Sequence, residues 1–235
     1  ATLSVSLLIF TIVPERKTSI SLPTLRHQII ELGSIYTNQE FWKCAPLIST
    51  SLAANMAIQG LWAGPWLKDV ASLDRGPVAH YLLLLALALA IGSLITGALA
   101  NWLEKFKVSL LTFFTVTMLL FMISQLLIIF ELAPTSIYPW LAFGLLANSA
   151  MVVYAHLTRF FPNELSGRVI TAVNVMTFGG VFLIQYLIGE IINFFPTGEN
   201  GEYSSKGFFW GFGLALIAQF LSFIWFILPR SAKVG

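Results

Sequence analysis

The residues able to do chemistry in this 235-residue chain are mostly neutral, and they sit inside long apolar runs. Ser51, Asn55, Gln59, Trp62 and Trp66 follow one another at spacings of four, four, three and four, which lays them along one face of a helix. An amide both donates and accepts hydrogen bonds, and an indole adds a flat apolar surface with one donor. A stripe of this kind suits holding a neutral polar or aromatic-containing small molecule. The competing reading is hydrogen bonding between packed helices, worth about 1 kcal/mol or less per bond in membrane bundles. Thr171, Asn174, Phe178, Val181 and Gln185 form a second such face, with Gly179 and Gly180 beside it to loosen the helix. In a third apolar run Asn148 is the deepest polar residue, and Tyr154 falls on a different face.

Bond-making chemistry finds less support. His27, His80 and His156 stand apart in the sequence, and neither an H-E-x-x-H pattern nor a Gly-rich phosphate loop occurs. No catalytic residue, metal ligand or cofactor is therefore assigned, and the chain is not read as an enzyme. The lone Cys44 excludes an intrachain disulfide.

The elements that must position these residues are apolar segments over 41–66, 81–100, 108–130, 137–161, 168–195 and 208–228, against a requirement of roughly 20 residues per membrane helix. A composition of 57% hydrophobic and 10% charged residues, with 20 phenylalanines, would force contiguous apolar surface into water if the chain were soluble. Lipid offers the backbone no hydrogen bonds, and the two-residue alternation of a barrel strand is missing from these runs. The expected fold class is an all-α membrane protein of six transmembrane helices. Residues 1–13 read as the tail of a preceding transmembrane helix, which implies a polypeptide that continues upstream.

Charge sets the expected topology, because cytoplasmic loops are enriched in Lys and Arg. One side of the spans holds Arg16, Lys17, Arg26, Lys43, Lys105, Lys107, Arg159, Arg168, Arg230 and Lys233; the other holds Lys68, Arg75 and Lys206. This asymmetry puts both ends of the segment in the cytoplasm, with 14–40 as a cytoplasmic connector and 229–235 as a cytoplasmic tail. The net charge of +2 is topogenic on this reading, and no nucleic-acid partner is expected. Within the connector, Leu25, Ile29 and Leu32 recur at helical spacing opposite Arg26, Gln28 and Glu31, as in a helix lying on a membrane surface. Thr37 and Glu40 have the S/T-x-x-E spacing of a capping box ahead of the run from Phe41. Gly92 with Thr96 and Ser93 with Gly97 are small-residue pairs that let helices approach closely. Gly60 and the Gly64-Pro65 pair should weaken the outer end of the first span, as a hinge or gate.

Several local patterns, in order, resemble the C-terminal six-helix half of a major facilitator superfamily transporter. Val13-Pro14-Glu15-Arg16 and the basic connector after it look like the end of that family's sixth helix and its central loop. Gln59-Gly60-Leu61-Trp62-Ala63-Gly64-Pro65-Trp66-Leu67 is similar to the outer end of its seventh helix. Gly97 to Lys105 stands where the family repeats a G-x-L-a-D-R-x-G-R loop, here with Asn101 in place of the acidic residue and Trp102 in place of the arginine. Phe161-Pro162-Asn163-Glu164-Leu165-Ser166-Gly167-Arg168 matches the P-x-E-x-x-G-R pattern more closely.

The resemblance implies alternating access, with two six-helix halves moving about a midplane site. It makes the partners a small-molecule solute, the N-terminal six-helix half of the same transporter and the lipid bilayer. The expected substrate-binding residues are Ser51, Asn55, Gln59, Trp62, Asn148, Asn174, Phe178 and Gln185. Gating falls to Gly60, Gly64 and Pro65 at one end, and at the other to a charge cluster of Arg159, Glu164 and Arg168 that breaks and re-forms on switching. The alternatives are a membrane assembly subunit without transport activity and, behind it, an intramembrane enzyme; a channel would need a ring of like side chains. Because His156 and Glu190 lie near opposite ends of their spans, the titratable group of any proton coupling is expected upstream of Ala1. In the full-length protein, Glu190→Gln should leave proton-coupled uptake intact, and loss of coupling with retained substrate binding would overturn that expectation.

Overall fold

The computed structural model describes residues 24–198 and 201–228. The expected helix tail over 1–13, its exit through Arg16 and Lys17, and the tail with Arg230 and Lys233 lie outside the described residues, as do the side chains of Asn101, Leu103 and Glu104. The chain is all-helical, with no strand among the described residues. Its helices are α1 (Leu25–Tyr36), α2 (Gln39–Ala57), α3 (Ala63–Asp69), α4 (Arg75–Lys105), α5 (Leu110–Ile129), α6 (Tyr138–Ala147), α7 (Met151–Thr158), α8 (Ser166–Phe194) and α9 (Ser205–Ile227). A π-helical turn, Ile58–Trp62, joins α2 to α3, and a 3-10 turn, Asn148–Ala150, joins α6 to α7.

Among the described residues five helical segments are long and apolar enough to cross a membrane: Arg75–Ala100, Leu110–Ile129, Tyr138–Thr158, Asn163–Phe194 and Ser205–Ile227. The rod of α2, the π turn and α3 is not one of them. At 31 helical residues it is about 46 Å long, so length is not the obstacle. Ser49, Thr50, Ser51, Asn55 and Gln59 lower its apolarity, and the fold compensates by wrapping it: 12 of the 19 residues of α2 are buried, against 22% of the apolar window of α4. α2 packs most extensively on α8, and α9 closes a three-helix group with both; α4 and α5 pack on α6.

Successive rods run antiparallel. At the end that carries α1, the Trp225 Nε1–H of α9 donates to the carbonyl of Trp42 at 2.6 Å, and Arg168 at the start of α8 pairs with Glu31 of α1. At the opposite end, the Tyr81 hydroxyl of α4 donates to the carbonyl of Thr135, and the backbone N–H of Tyr203 donates to the Asp69 carboxylate at 3.1 Å.

The start of α2 corrects the expected capping box. Asn38 is the N-cap, its side-chain oxygen accepting from the backbone N–H groups of Glu40 at 2.8 Å and Phe41 at 3.2 Å. Thr37 instead ends α1, its hydroxyl donating back to the carbonyls of Gly33 and Ser34. Only Thr37 and Asn38 separate the two helices, and the Thr37 hydroxyl is committed to the one behind it. The weak point expected near Gly60 and Gly64-Pro65 takes the form of the π turn: Ala63 N–H reaches back five residues to Ile58, and the helix then continues through Pro65 to Asp69.

Small residues set the closest helix crossings. A Cβ on Gly92 would collide with the carbonyl oxygen of Leu145, and one on Gly144 would lie 2.9 Å from the Ala88 Cβ, so α4 and α6 meet almost backbone to backbone. Gly207 and Gly211 of α9 sit in the same way on Ile192 and Ile188 of α8. Gly97, the partner expected for Ser93, meets nothing within 4 Å. A buried polar chain joins three helices: Gln125 of α5 donates to Gln219 of α9 at 2.7 Å, Gln219 donates to Ser51 of α2 at 3.0 Å, and Ser51 reaches the Met118 sulfur at 3.3 Å. Gly92→Ala should cost about 1–3 kcal/mol through overpacking, and Gln219→Leu about 1 kcal/mol through the two partners it strands. Melting in detergent reads both; an unchanged Tm for Gly92→Ala would contradict the α4–α6 contact.

Candidate functional site: a groove between α2, α7 and α8

The faces of α2, α7 and α8 meet around a groove of about 660 Å³, with Leu89 of α4 also in its lining. This volume is in the range of small-molecule sites. Its polar lining consists of Asn55 and Gln59 from α2, Asn148 from the 3-10 turn, Tyr154 from α7, and Asn174 and Thr177 from α8; Phe178 contributes an exposed ring.

Each polar group arrives by a local cause. Asn55 and Gln59 are one turn apart, and Gln59 lies in the π turn, whose wider winding changes the facing of the side chains that follow it. Asn148 stands where the α-helical ladder between α6 and α7 is interrupted, and its Nδ2 donates to the Ser93 hydroxyl of α4 at 2.9 Å. The Tyr154 hydroxyl donates to the Asn174 side-chain oxygen at 2.9 Å, tying α7 to α8 across the groove. The Thr177 hydroxyl is bonded to the carbonyl of Val173 and to Ser49, so it holds α8 against α2. Asn55 is 4% exposed, and its Oδ1 is buried without a hydrogen-bond partner. A buried acceptor left without a hydrogen bond costs about 1–3 kcal/mol.

Of the eight residues expected to bind solute, Asn55, Gln59, Asn148, Asn174 and Phe178 line this groove together. The other three lie elsewhere. Ser51 is fully buried in the polar chain with Gln219 and Met118. Trp62 packs its indole against Gly189 and makes edge contacts with Tyr203 and Phe208, at centroid distances of 6.3 and 6.4 Å. Trp66, on the same stripe, meets Trp140 at 5.3 Å. Gln185 is half-buried two turns beyond Phe178. A four-residue step advances 40° around an α-helix, so a stripe from 51 to 66 drifts from one neighbour to the next, and the π turn adds to the drift. Thr171 of the second face donates to Gly167 in its own helix.

Tyr154 and Thr177 are the residues of weight that sequence reasoning left out of the site. Thr177 is one turn beyond Asn174, and that spacing was the available signal; the place of Tyr154 depends on how α7 turns after the 3-10 break, which periodicity does not encode.

The gating residues disperse. Gly60 and Glu164 are exposed, Gly64 lies 3.7 Å from Leu82 as measured from a Cβ position, and Pro65 is inside α3. Arg159 lines a second cavity of about 280 Å³ between α4 and α7, together with Ser93, Thr96 and Asn148. Arg168 pairs with Glu31 of α1, a partner outside the expected cluster. At the same end of the bundle, the ligand atoms of Glu40, Cys44 and His156 lie within 4.8 Å of one another. Their sequence separation hides this, since two come from α2 and one from α7.

No family model and no curated protein matches the chain. In a Cys44→Ser background, cysteines at 59 and 174 should react with a water-soluble maleimide in detergent faster than one at 51; equal protection of all three would mean that the groove is not open to water.

Proposed function

We propose that this chain is the C-terminal six-helix half of a secondary active transporter of the major facilitator type, and that the groove is its share of a site for a small, neutral, polar or aromatic-containing solute. One observation carries the reading: the amides of Asn55, Gln59, Asn148 and Asn174 and the phenol of Tyr154, far apart in sequence, line one groove together. Amide donors and acceptors beside Phe178 hold an uncharged solute without demanding that a charge be desolvated.

The architecture supports this reading. Five apolar helices and the shielded rod of residues 39–69 alternate in direction, which gives six crossings if the rod is inserted among the others. Exposed Leu83, Leu87, Ile91, Leu94 and Ile95 on α4, and Val175, Phe182 and Tyr186 on α8, need lipid or a partner rather than water. In this reading the N-terminal six-helix half covers the open side of the groove and the bilayer covers α4. The protein is then integral to a cell or inner membrane, with both ends of the segment on the cytoplasmic side, as the asymmetry of Lys and Arg requires. α1 lies on that surface, with Leu25, Ile29 and Ile30 toward lipid and Glu31 anchored to Arg168. The contacting atoms of the Glu31–Arg168 pair are buried, so the pair ties α1 to the start of α8.

A ligand-dependent thermal-shift screen on the full-length protein, followed by Asn55→Ala and Gln59→Ala, tests the site. Each change should weaken a hit by about 1 kcal/mol, roughly fivefold. If neither alters binding of any hit, the amides are packing residues and the assembly-subunit alternative takes precedence.

A further inference from the structure

We propose that Glu40, Cys44 and His156 form a binding site for a borderline divalent transition metal, zinc by preference, that ties the first turns of α2 to the last turn of α7. The proposal does not depend on the transport reading.

The geometry is that of a site needing small adjustment. Glu40 and Cys44 are four residues apart on α2 and so share one face, and His156 approaches that face from α7. One carboxylate oxygen, the thiol sulfur and one imidazole nitrogen all lie within 4.8 Å of one another. Tetrahedral zinc with bonds of about 2.0–2.3 Å places its ligands about 3.5 Å apart, so side-chain rotations that draw the set in by about 1 Å would complete it. Cys44 is fully buried, and the Nε2 of His156 is buried without a hydrogen-bond partner. That unpartnered nitrogen is a second sign, since a neutral imidazole can offer a metal the lone pair of either ring nitrogen.

The donor set selects the ion. A thiolate and an imidazole reject the hard ions magnesium and calcium, while a mixed sulfur, nitrogen and oxygen set suits zinc and its neighbours. The carboxylate and the thiolate together balance two positive charges. The Lys43 ammonium, 3.8 Å from Glu40, and Arg159 beside His156 oppose a cation; metal binding therefore has to displace the Glu40–Lys43 pair, which is half-exposed and weak. Three protein ligands leave a fourth position open to water or to another donor. Because Tyr154 of the groove is two residues from His156 on the same short helix, metal occupancy would fix one wall of the groove relative to α2.

The test is a cobalt titration of the full-length protein, purified in detergent and stripped with a chelator. The proposal expects one cobalt per chain, a thiolate-to-cobalt charge-transfer band in the near ultraviolet, displacement of that band by zinc, and a rise in Tm with zinc. Cys44→Ala should abolish the band, and His156→Gln should weaken binding by at least about tenfold, both without changing the metal-free Tm by more than a core side-chain substitution explains. Absence of the thiolate band in the unaltered protein overturns the proposal, as does undiminished affinity in His156→Gln. If Cys44→Ala does not fold, the band of the unaltered protein together with Glu40→Gln and His156→Gln decides the matter.

Discussion

The structure depends on the burial of a helix too polar to stand alone in an apolar environment. α2 carries Ser49, Ser51, Asn55 and, in the π turn, Gln59, and each needs a partner once water is excluded. Thr177 of α8 satisfies Ser49, and Gln219 of α9 satisfies Ser51. Neither partner is sequence-local, so α2 can be stable only with α8 and α9 docked on it. The three-helix group follows from that requirement, and α4, α5 and α6 then pack around it.

What remains of the polar face of α2 after those two contacts becomes the groove. Asn55 finds no partner for its Oδ1, and at its level a groove opens between α2, α7 and α8, with Met56 and Met151 in its lining. The crossings elsewhere are governed by glycine: Gly92 and Gly144 bring α4 and α6 together, and Gly207 and Gly211 bring α9 onto α8. The bundle is thus tight along two seams and open along a third. Side chains small enough to vanish make the seams, and side chains that can both donate and accept line the opening.

The same packing that satisfies α2 also decides its ends. Near α1, the first two turns of α2 present Glu40 and Cys44 to α7, and the Trp42 carbonyl accepts from the indole of Trp225. At the far end, Trp62 and Trp66 are absorbed into aromatic contacts with α9 and α6. One helix therefore contributes to a hydrophobic plug, a polar chain, an open groove and a cluster of ligand atoms, at four successive levels. A helix can do this because each step of four residues turns it a further 40° toward a new neighbour.

Much of this was legible in the sequence. The apolar runs determined an all-helical chain, since only a backbone that satisfies itself can be that apolar for that long. The four-residue spacing of Asn55 with Gln59 and of Asn174 with Phe178 picked out groove-lining residues on two helices. Tertiary structure alone decided which polar residues face the opening and which are consumed in packing, because Ser51 and Asn55 look alike in a periodic pattern and differ only in whether Gln219 or empty space lies opposite. It also decided the proximity of His156 to Glu40 and Cys44, and of Arg168 to Glu31. Sequence spacing reports neighbours along one helix, whereas contact between helices depends on crossing positions set by Gly92, Gly144 and the breaks at 58–62 and 148–150. A shift of one helical turn there would pair different residues without changing any periodicity in the chain.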